Sequence, residues 1–325
     1  MIKATENFLK HYYHYLRPLI PRWLQIKLRR WFALKERPKY SNIWPIDKKA
    51  ANPPMGWPGW PGGKQFALIL THDVDTAIGQ ERCTEVAMLE EGFGFRSLIN
   101  FVAEDYYVSA VIRGLLVERG FEIGVHGLYH RKHPFRSRKA FQKQAVKINQ
   151  YLKAWGSVGF RSPCMYHNLD WIGELDIEYD CSTFDTDPFE PQPEGVGTIF
   201  PFLVQSGYTR KNFVELPYTM PQDFTLFVLM KEKNIDIWKK KLDWIVDNRG
   251  MALVTSHPNY MNFEKRKCGI EEYPMELYEE FLDYVKSRYE GQYWNPLPRE
   301  MARFWKEKIV IDQSRCNRLH RTRDP

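Results

Sequence analysis

The sequence has few of the features that would place it outside the ordinary globular class. Only 5 of its 325 residues are cysteine, at positions 83, 164, 181, 268 and 316, and no two form a C-x-x-C pair. An odd, scattered set argues against a disulfide framework and reads as reduced thiols. No run of 18 apolar residues occurs, so no transmembrane helix is expected. There is no internal repeat and no low-complexity tract. In the first 40 residues the bases interrupt the apolar positions too often for a secretory apolar core, and no small-residue cleavage site follows. No signal peptide is therefore expected. What remains is 43% hydrophobic, 27% charged and 15% aromatic residues. That composition excludes a disordered or fibrous chain, and the length allows a sizeable buried core.

The net charge of +7 is unevenly spread. Residues 1–40 hold 10 Lys/Arg against 2 Asp/Glu, and residues 299–325 hold 8 against 4, whereas the stretch between them holds 29 against 34. The basicity belongs to the two ends, and the middle is mildly acidic. Such a middle offers no matching surface for nucleic acid, so no nucleic-acid partner is expected. The division predicts a basic aromatic N-terminal arm over 1–50, a Pro/Gly/Trp-rich connector over 51–64, a folded body over 65–298 and a short basic tail over 299–325. Two readings of the arm stand side by side. Trp23, Leu24, Leu28, Trp31 and Phe32 among bases suit an anionic membrane surface; alternatively, the arm packs its aromatics on the body. Pro18 and Pro21 are expected to break any long helix there. Trp57 and Trp60 suggest that the connector is laid down on a surface.

From Phe66 the pattern becomes regular. Short apolar runs at 66–73, 96–105, 121–130, 158–163 and 251–258 read as strands, with further candidates at 176–184 and 212–219. Helical periodicity lies over 79–92, 109–120, 136–154, 234–248 and 272–289. Alternation of this kind implies a parallel sheet covered by helices. Polar residues follow the strands: Asp73 and Asp75, His126 and His130, Arg161, and His257. In an α/β barrel such strand ends converge on one face, so residues distant in sequence meet in one cleft.

Each group has an ordinary alternative. His126 and His130, four apart after an apolar run, can aim both rings at one metal, or they are two surface histidines on a turn. Asp73 and Asp75 can divide metal binding and proton transfer between them, or they cap a loop. Arg161 could form a salt bridge or a helix cap, and His257 could be a satisfied loop histidine. One carboxylate with two histidines leaves positions open for water and substrate, as in catalytic zinc sites; non-haem iron oxygenases share that donor set.

The order T-H-D-V-D, H-x-x-x-H, R-S-P, D-C-S-T-F, S-H-P, each at a predicted strand end, resembles the polysaccharide deacetylases of carbohydrate esterase family 4 over about residues 65–290. The resemblance implies a distorted (β/α)7-type barrel and removal of an acetyl group from an N-acetylated sugar. It implies Asp73 as base and, in a D-x-D variant of the first motif with Val74 at the usual ligand position, Asp75 as metal ligand beside His126 and His130. Gly127 stands where the family has Ser or Thr. Arg161 would hold Asp73, and Pro163 completes the R-x-P motif. The Cys164 amide would serve the oxyanion. Asp180 to Phe184 replaces D-S-x-D-W, with Phe184 as an apolar wall. His257 would be the general acid. His72, where the family has Phe, is a partner of Asp75, a substrate contact or a satisfied core histidine. Asp185, Asp187 and the segment 215–224 could line the sugar site, and Asp223 could orient His257.

These assignments imply one divalent metal, zinc before cobalt or nickel, and a C–N hydrolase acting on an N-acetylated sugar or glycan. The expected location is the cytoplasm, with residues 1–40 touching the inner membrane surface. The alternatives are a different amide hydrolase on the same barrel, a silent glycan-binding barrel and, against the α/β alternation, the iron oxygenase.

Overall fold

The apolar run at residue 66 forms a strand whose nine residues, Phe66–Val74, are all buried. Around it the computed structural model describes residues 20–130, 134–207, 209, 211–264 and 266–308. In chain order the elements are α1 (Arg22–Glu36), β1 (Phe66–Val74), α2 (Ala77–Phe93), β2 (Ser97–Phe101), α3 (Ala110–Glu118), β3 (Glu122–Val125), α4 (Arg138–Trp155), β4 (Gly159–Phe160), α5 (Leu169–Ile172), β5 (Tyr179–Asp180), β6 (Phe202–Gln205), β7 (Asn212–Glu215), α6 (Asp236–Asp247), β8 (Met251–Ser256), β9 (Met261–Asn262), β10 (Tyr273–Pro274), α7 (Glu276–Tyr289) and β11 (Tyr293–Trp294).

Local chemistry sets where the crossing helices begin and end. Thr76, Ser109 and Ser137 each accept a hydrogen bond from a first-turn amide of α2, α3 and α4, and Gly94 and Gly156 close α2 and α4 in the left-handed conformation. The strands then pair in the order β8-β1-β2-β3-β4-β5-β7-β6, with β11 joined to the first two residues of β1. Every pairing in this sheet is parallel except β6 with β7. Beyond β7 the chain turns back on β8: the amides of Thr219 and Met220 donate to the Leu253 carbonyl, and the Leu253 amide donates to Thr219 Oγ1. The result is a distorted barrel built on the parallel strands β1–β5, β7 and β8.

Side chains alternate along β1. Val74 joins Cys83, Ile99, Phe101 and Leu116 in the layer between the sheet and helices α2 and α3. Its neighbours Asp73 and Asp75 take the opposite face, inside the barrel mouth. A second layer under α4 is built from Val125, Phe141, Ile148, Leu152 and Phe160.

The ends of the described chain are part of this body. Helix α1 forms directly after Pro21, so the proline that was expected to break a helix instead precedes one, its missing N–H falling where no helical bond is needed. Ile26, Ala33, Trp44 and Trp60 share the main core with β1 and β8. The Trp60 indole donates to the Arg249 carbonyl at 2.8 Å and stacks on Phe200. A last helix starts at residue 298 and buries Trp305. The basic stretch 318–324 and residues 1–19 lie outside the described residues. Strand β6 has no counterpart in the sequence reading, and the strand expected over 176–184 is reduced to Tyr179–Asp180 and a single parallel bridge from Phe184 to Tyr218.

Candidate functional site

β1, β3, β4 and β8 all run parallel, so their C-terminal ends open on one face, and each delivers polar groups there. Asp73 and Asp75 leave β1, His126 and His130 follow β3, Arg161 follows β4 and His257 follows β8. The ligand atoms of Asp75, His126 and His130 lie within 4.8 Å of one another. Asp75 Oδ1 stands 3.5 Å from His126 Nε2 and 3.3 Å from His130 Nε2. Both oxygens of Asp75 are buried without a hydrogen-bond partner. A buried carboxylate left unpaired is costly, and a cation between it and the two imidazoles removes that cost. Burial pushes the Asp75 carboxyl up to about 6. It also pushes His126 down and His130 down to about 4, so both rings are neutral and able to ligate at neutral pH. His126 Nδ1 lies 3.0 Å from the Arg161 carbonyl; donation to it leaves the Nε2 lone pair directed at the site.

Asp73 is prepared differently. Its Oδ1 accepts from Arg161 Nη1 at 3.0 Å and from Asn100 Nδ2 at 2.9 Å. Its Oδ2 faces the ligand set, 3.8 Å from His126 Nε2. Burial opposes ionisation, but the Arg161 guanidinium, with the His257 imidazolium and the Asn100 hydrogen bond, outweighs it and holds the carboxyl well below the usual range. Arg161 is itself fully buried and also donates to Thr71 Oγ1 and the Cys181 carbonyl. Opposite stands His257. Asp223 Oδ1 lies 2.7 Å from its Nδ1, and Asp223 Oδ2 accepts from its backbone amide and from the Tyr273 hydroxyl. Burial disfavours the imidazolium, yet Asp223 outweighs it and raises the ring to about 9. The His257 charge acts in turn on Asp73 and Asp75.

Other expected residues back the site or lie away from it. His72 is fully buried in the core, with Nδ1 2.8 Å from Ser256 Oγ and Nε2 2.7 Å from Glu90 Oε1, so it has no ring nitrogen left for substrate or Asp75. Asp180 is fully buried and accepts from the Ser182 hydroxyl, whose oxygen accepts from the Ser162 amide; it braces the loop after β4 from behind. Phe184 is fully buried against Tyr218, so it supports a wall without facing the cleft. Asp185 pairs with Lys241 in the interior. Asp187 and Glu190 share the Tyr218 hydroxyl. Pro163 and Cys164 form the tight turn after Arg161, in which Cys164 and Met165 both take positive φ, 55° and 53°. Consecutive left-handed residues other than glycine carry strain, and strain of this kind collects at functional sites.

No family model matches the chain, and a search of curated proteins finds no match. Solved structures do resemble it. A protein of Mycobacterium smegmatis, provisionally assigned as a polysaccharide deacetylase, superposes with a TM-score of 0.58 at 17% identity, covering 77% of this chain and 93% of its own. One of Pseudomonas aeruginosa PAO1, assigned in the same way, gives 0.57 at 15%, covering 81% and 98%. The chain has the polysaccharide deacetylase fold. The Puue allantoinase shares it too, with a TM-score of 0.54 at 18% identity over 81% of this chain and 97% of that one.

Within the deacetylase fold the departures from the family motifs have local reasons. Gly127 has φ +66°, and a Cβ there would stand 2.7 Å from the Pro163 ring, so neither Ser nor Thr fits between the two histidines. Asn100 was not singled out from the sequence, because a lone Asn within an apolar strand does not show which face it takes. Gly124 makes room for it: a Cβ there would meet Asn100 Oδ1 at 2.0 Å.

Proposed function

We propose that the protein hydrolyses the acetamide of an N-acetylated amino sugar or glycan, releasing acetate and a free amine. The observation that carries this reading is the pair of orphaned Asp75 oxygens facing two neutral imidazoles, with a charge-held carboxylate on one side and a protonated imidazole on the other. One divalent cation, zinc on the chemistry of a carboxylate and two imidazoles, or else cobalt or nickel, would be held by Asp75, His126 and His130 and would supply a Lewis acid that acidifies water and polarises the carbonyl. Asp73 Oδ2 takes the proton of the attacking water, while Arg161 and Asn100 keep Oδ1 fixed. The Cys164 amide, presented by its left-handed turn, donates to the oxygen that gains charge. His257, held protonated by Asp223, gives its proton to the nitrogen as the C–N bond breaks, because an amide nitrogen leaves poorly without one.

The test is acetate release from N-acetylated oligosaccharides by the metal-loaded protein. Asp73→Asn and His257→Ala should each lose roughly 10²-fold or more of the rate while still binding metal. Cleavage of another amide without acetate would point to a different C–N hydrolase on this barrel. Full metal occupancy with no hydrolysis of any amide would leave a glycan-binding barrel and overturn the proposal.

A further inference from the structure

Helix α1 is docked with its polar side inward. Toward the body it turns the buried or half-buried Arg22, Gln25, Ile26, Arg29, Arg30, Ala33 and Glu36, whereas Trp23, Lys27, Leu28, Trp31, Phe32, Leu34 and Lys35 are exposed, with Leu24 half-buried among this second set. On a helical projection the first set occupies one half of the circumference and the second set the other. A helix on the surface of a water-soluble body shows the opposite arrangement, apolar stripe inward and polar face outward. Inward-facing polar groups find specific partners. The Arg22 guanidinium grips Glu271 with two hydrogen bonds of 2.7 and 2.8 Å, and Arg30 Nη2 donates to the carbonyls of Val228 and Ile270. The orientation is therefore fixed by the fold, and it leaves Trp23 51% and Trp31 61% exposed.

The exposed half has the make-up of an interfacial helix. Lys27 lies over the Trp23 ring and Lys35 over the Trp31 ring, each 5.0 Å from the centroid. Indole rings at headgroup level with ammonium groups extended along them match both the apolar boundary and the negative surface of an anionic bilayer. The surrounding segment 1–40 carries 10 Lys/Arg against 2 Asp/Glu. The same helix adjoins the cleft. Arg29 stacks over Phe224 at 4.8 Å, Phe224 packs on Tyr260 at 5.0 Å, and Tyr260 packs on His257 at 5.2 Å.

We infer that the outward face of α1 docks on an anionic lipid surface and so holds the mouth of the cleft beside the membrane. Docking is independent of the chemistry in the cleft, since vesicle binding reads no turnover. The experiment is flotation of the full chain with phosphatidylcholine vesicles and with vesicles that also contain phosphatidylglycerol. The wild-type protein should float with the anionic vesicles only, and raising salt to about 0.5 M should release it. Trp23→Ser with Trp31→Ser, and separately Lys27→Glu with Lys35→Glu, should each weaken binding roughly tenfold or more while keeping the wild-type melting temperature. Absence of flotation at low salt overturns the inference. So does flotation unchanged in both variants, which would assign binding to another segment. A lowered melting temperature in the serine variant would mean that protein covers the face. A wild-type dimer that the variants turn into a monomer, without vesicle binding, would make the occupant a second copy of the chain.

Discussion

Asp223 receives four hydrogen bonds at the cleft: from the amides of Phe224 and His257, from His257 Nδ1 and from the Tyr273 hydroxyl. That concentration of donors on one carboxylate holds the His257 ring protonated up to about 9. A pKa raised on folding adds stability that is complete below the unfolded value, about 6.5, and is lost as pH rises through about 9. The shift corresponds to an effect of about 3 kcal/mol. Thermal melts should therefore show Asp223→Asn well below the wild type at pH 7, with the gap closing toward pH 10. A gap that stays constant between those pH values would mean that His257 is not held as the imidazolium. A second residue-scale contact is tighter. Alanine at Gly124 would drive a Cβ to within 2.0 Å of Asn100 Oδ1 and displace the donor from Asp73. It should cost about 1–3 kcal/mol in urea unfolding, and less in an Asn100→Ala background, where only the 3.0 Å approach to the flexible Leu98 Cδ1 remains. These two residues also mark what the sequence disclosed. Asp73, Asp75, His126, His130, Arg161 and His257 stood out because each ends an apolar run at a strand terminus. Asn100 lies within such a run, and His72 breaks one for a structural reason, its partners Glu90 and Ser256 being remote in sequence.

At the scale of elements, strands flanked by helices were legible because the buried strands are short apolar runs and the helices beside β1 to β3 start at Thr76, Ser109 and Ser137, which cap them. β6 was not: its apolar residues Phe202, Leu203 and Val204 directly follow Pro201 and make a run of three, too short to mark a strand, and as an antiparallel edge strand it is only half-buried. The arm was legible in composition but not in conformation: Pro21 reads as a breaker until its position before the first helical turn is known. What anchors α1 is decidable by magnitude. Ile26 is fully buried in the main core, whereas the pair between Arg37 and Glu232 is partly exposed on both sides. Ile26→Ala should cost about 2–4 kcal/mol by transfer and cavity terms. Glu232→Gln should cost about 1 kcal/mol or less, as solvent-screened ion pairs do. Denaturant unfolding of the two variants separates these values, and the reverse ranking would show α1 to be held by charge rather than by burial.

At the scale of the whole molecule, the candidate metal-ligand set joins the ends of β1 and β3, and its one carboxylate, Asp75, is buried with neither oxygen hydrogen-bonded. The Asp75 carboxyl is raised to about 6, so the metal-free fold is destabilised as pH climbs from about 4 to about 6, and the penalty, about 3 kcal/mol, is complete above that. A cation held there would reverse the sign of that effect, because it would bind the folded ligand set and not the unfolded chain. At a metal concentration 1,000 times the dissociation constant the gain is about 4 kcal/mol. Asp75→Asn removes the buried charge and the ligand together. Three orderings of melting temperature at pH 8 follow. The chelated wild type should melt lowest, chelated Asp75→Asn higher, and the metal-loaded wild type should rise above its chelated form while the variant does not respond to metal. Were chelated Asp75→Asn to melt below the chelated wild type, the Asp75 oxygens would have a protein partner, and the case for a cation between them and the two imidazoles would fall with that result.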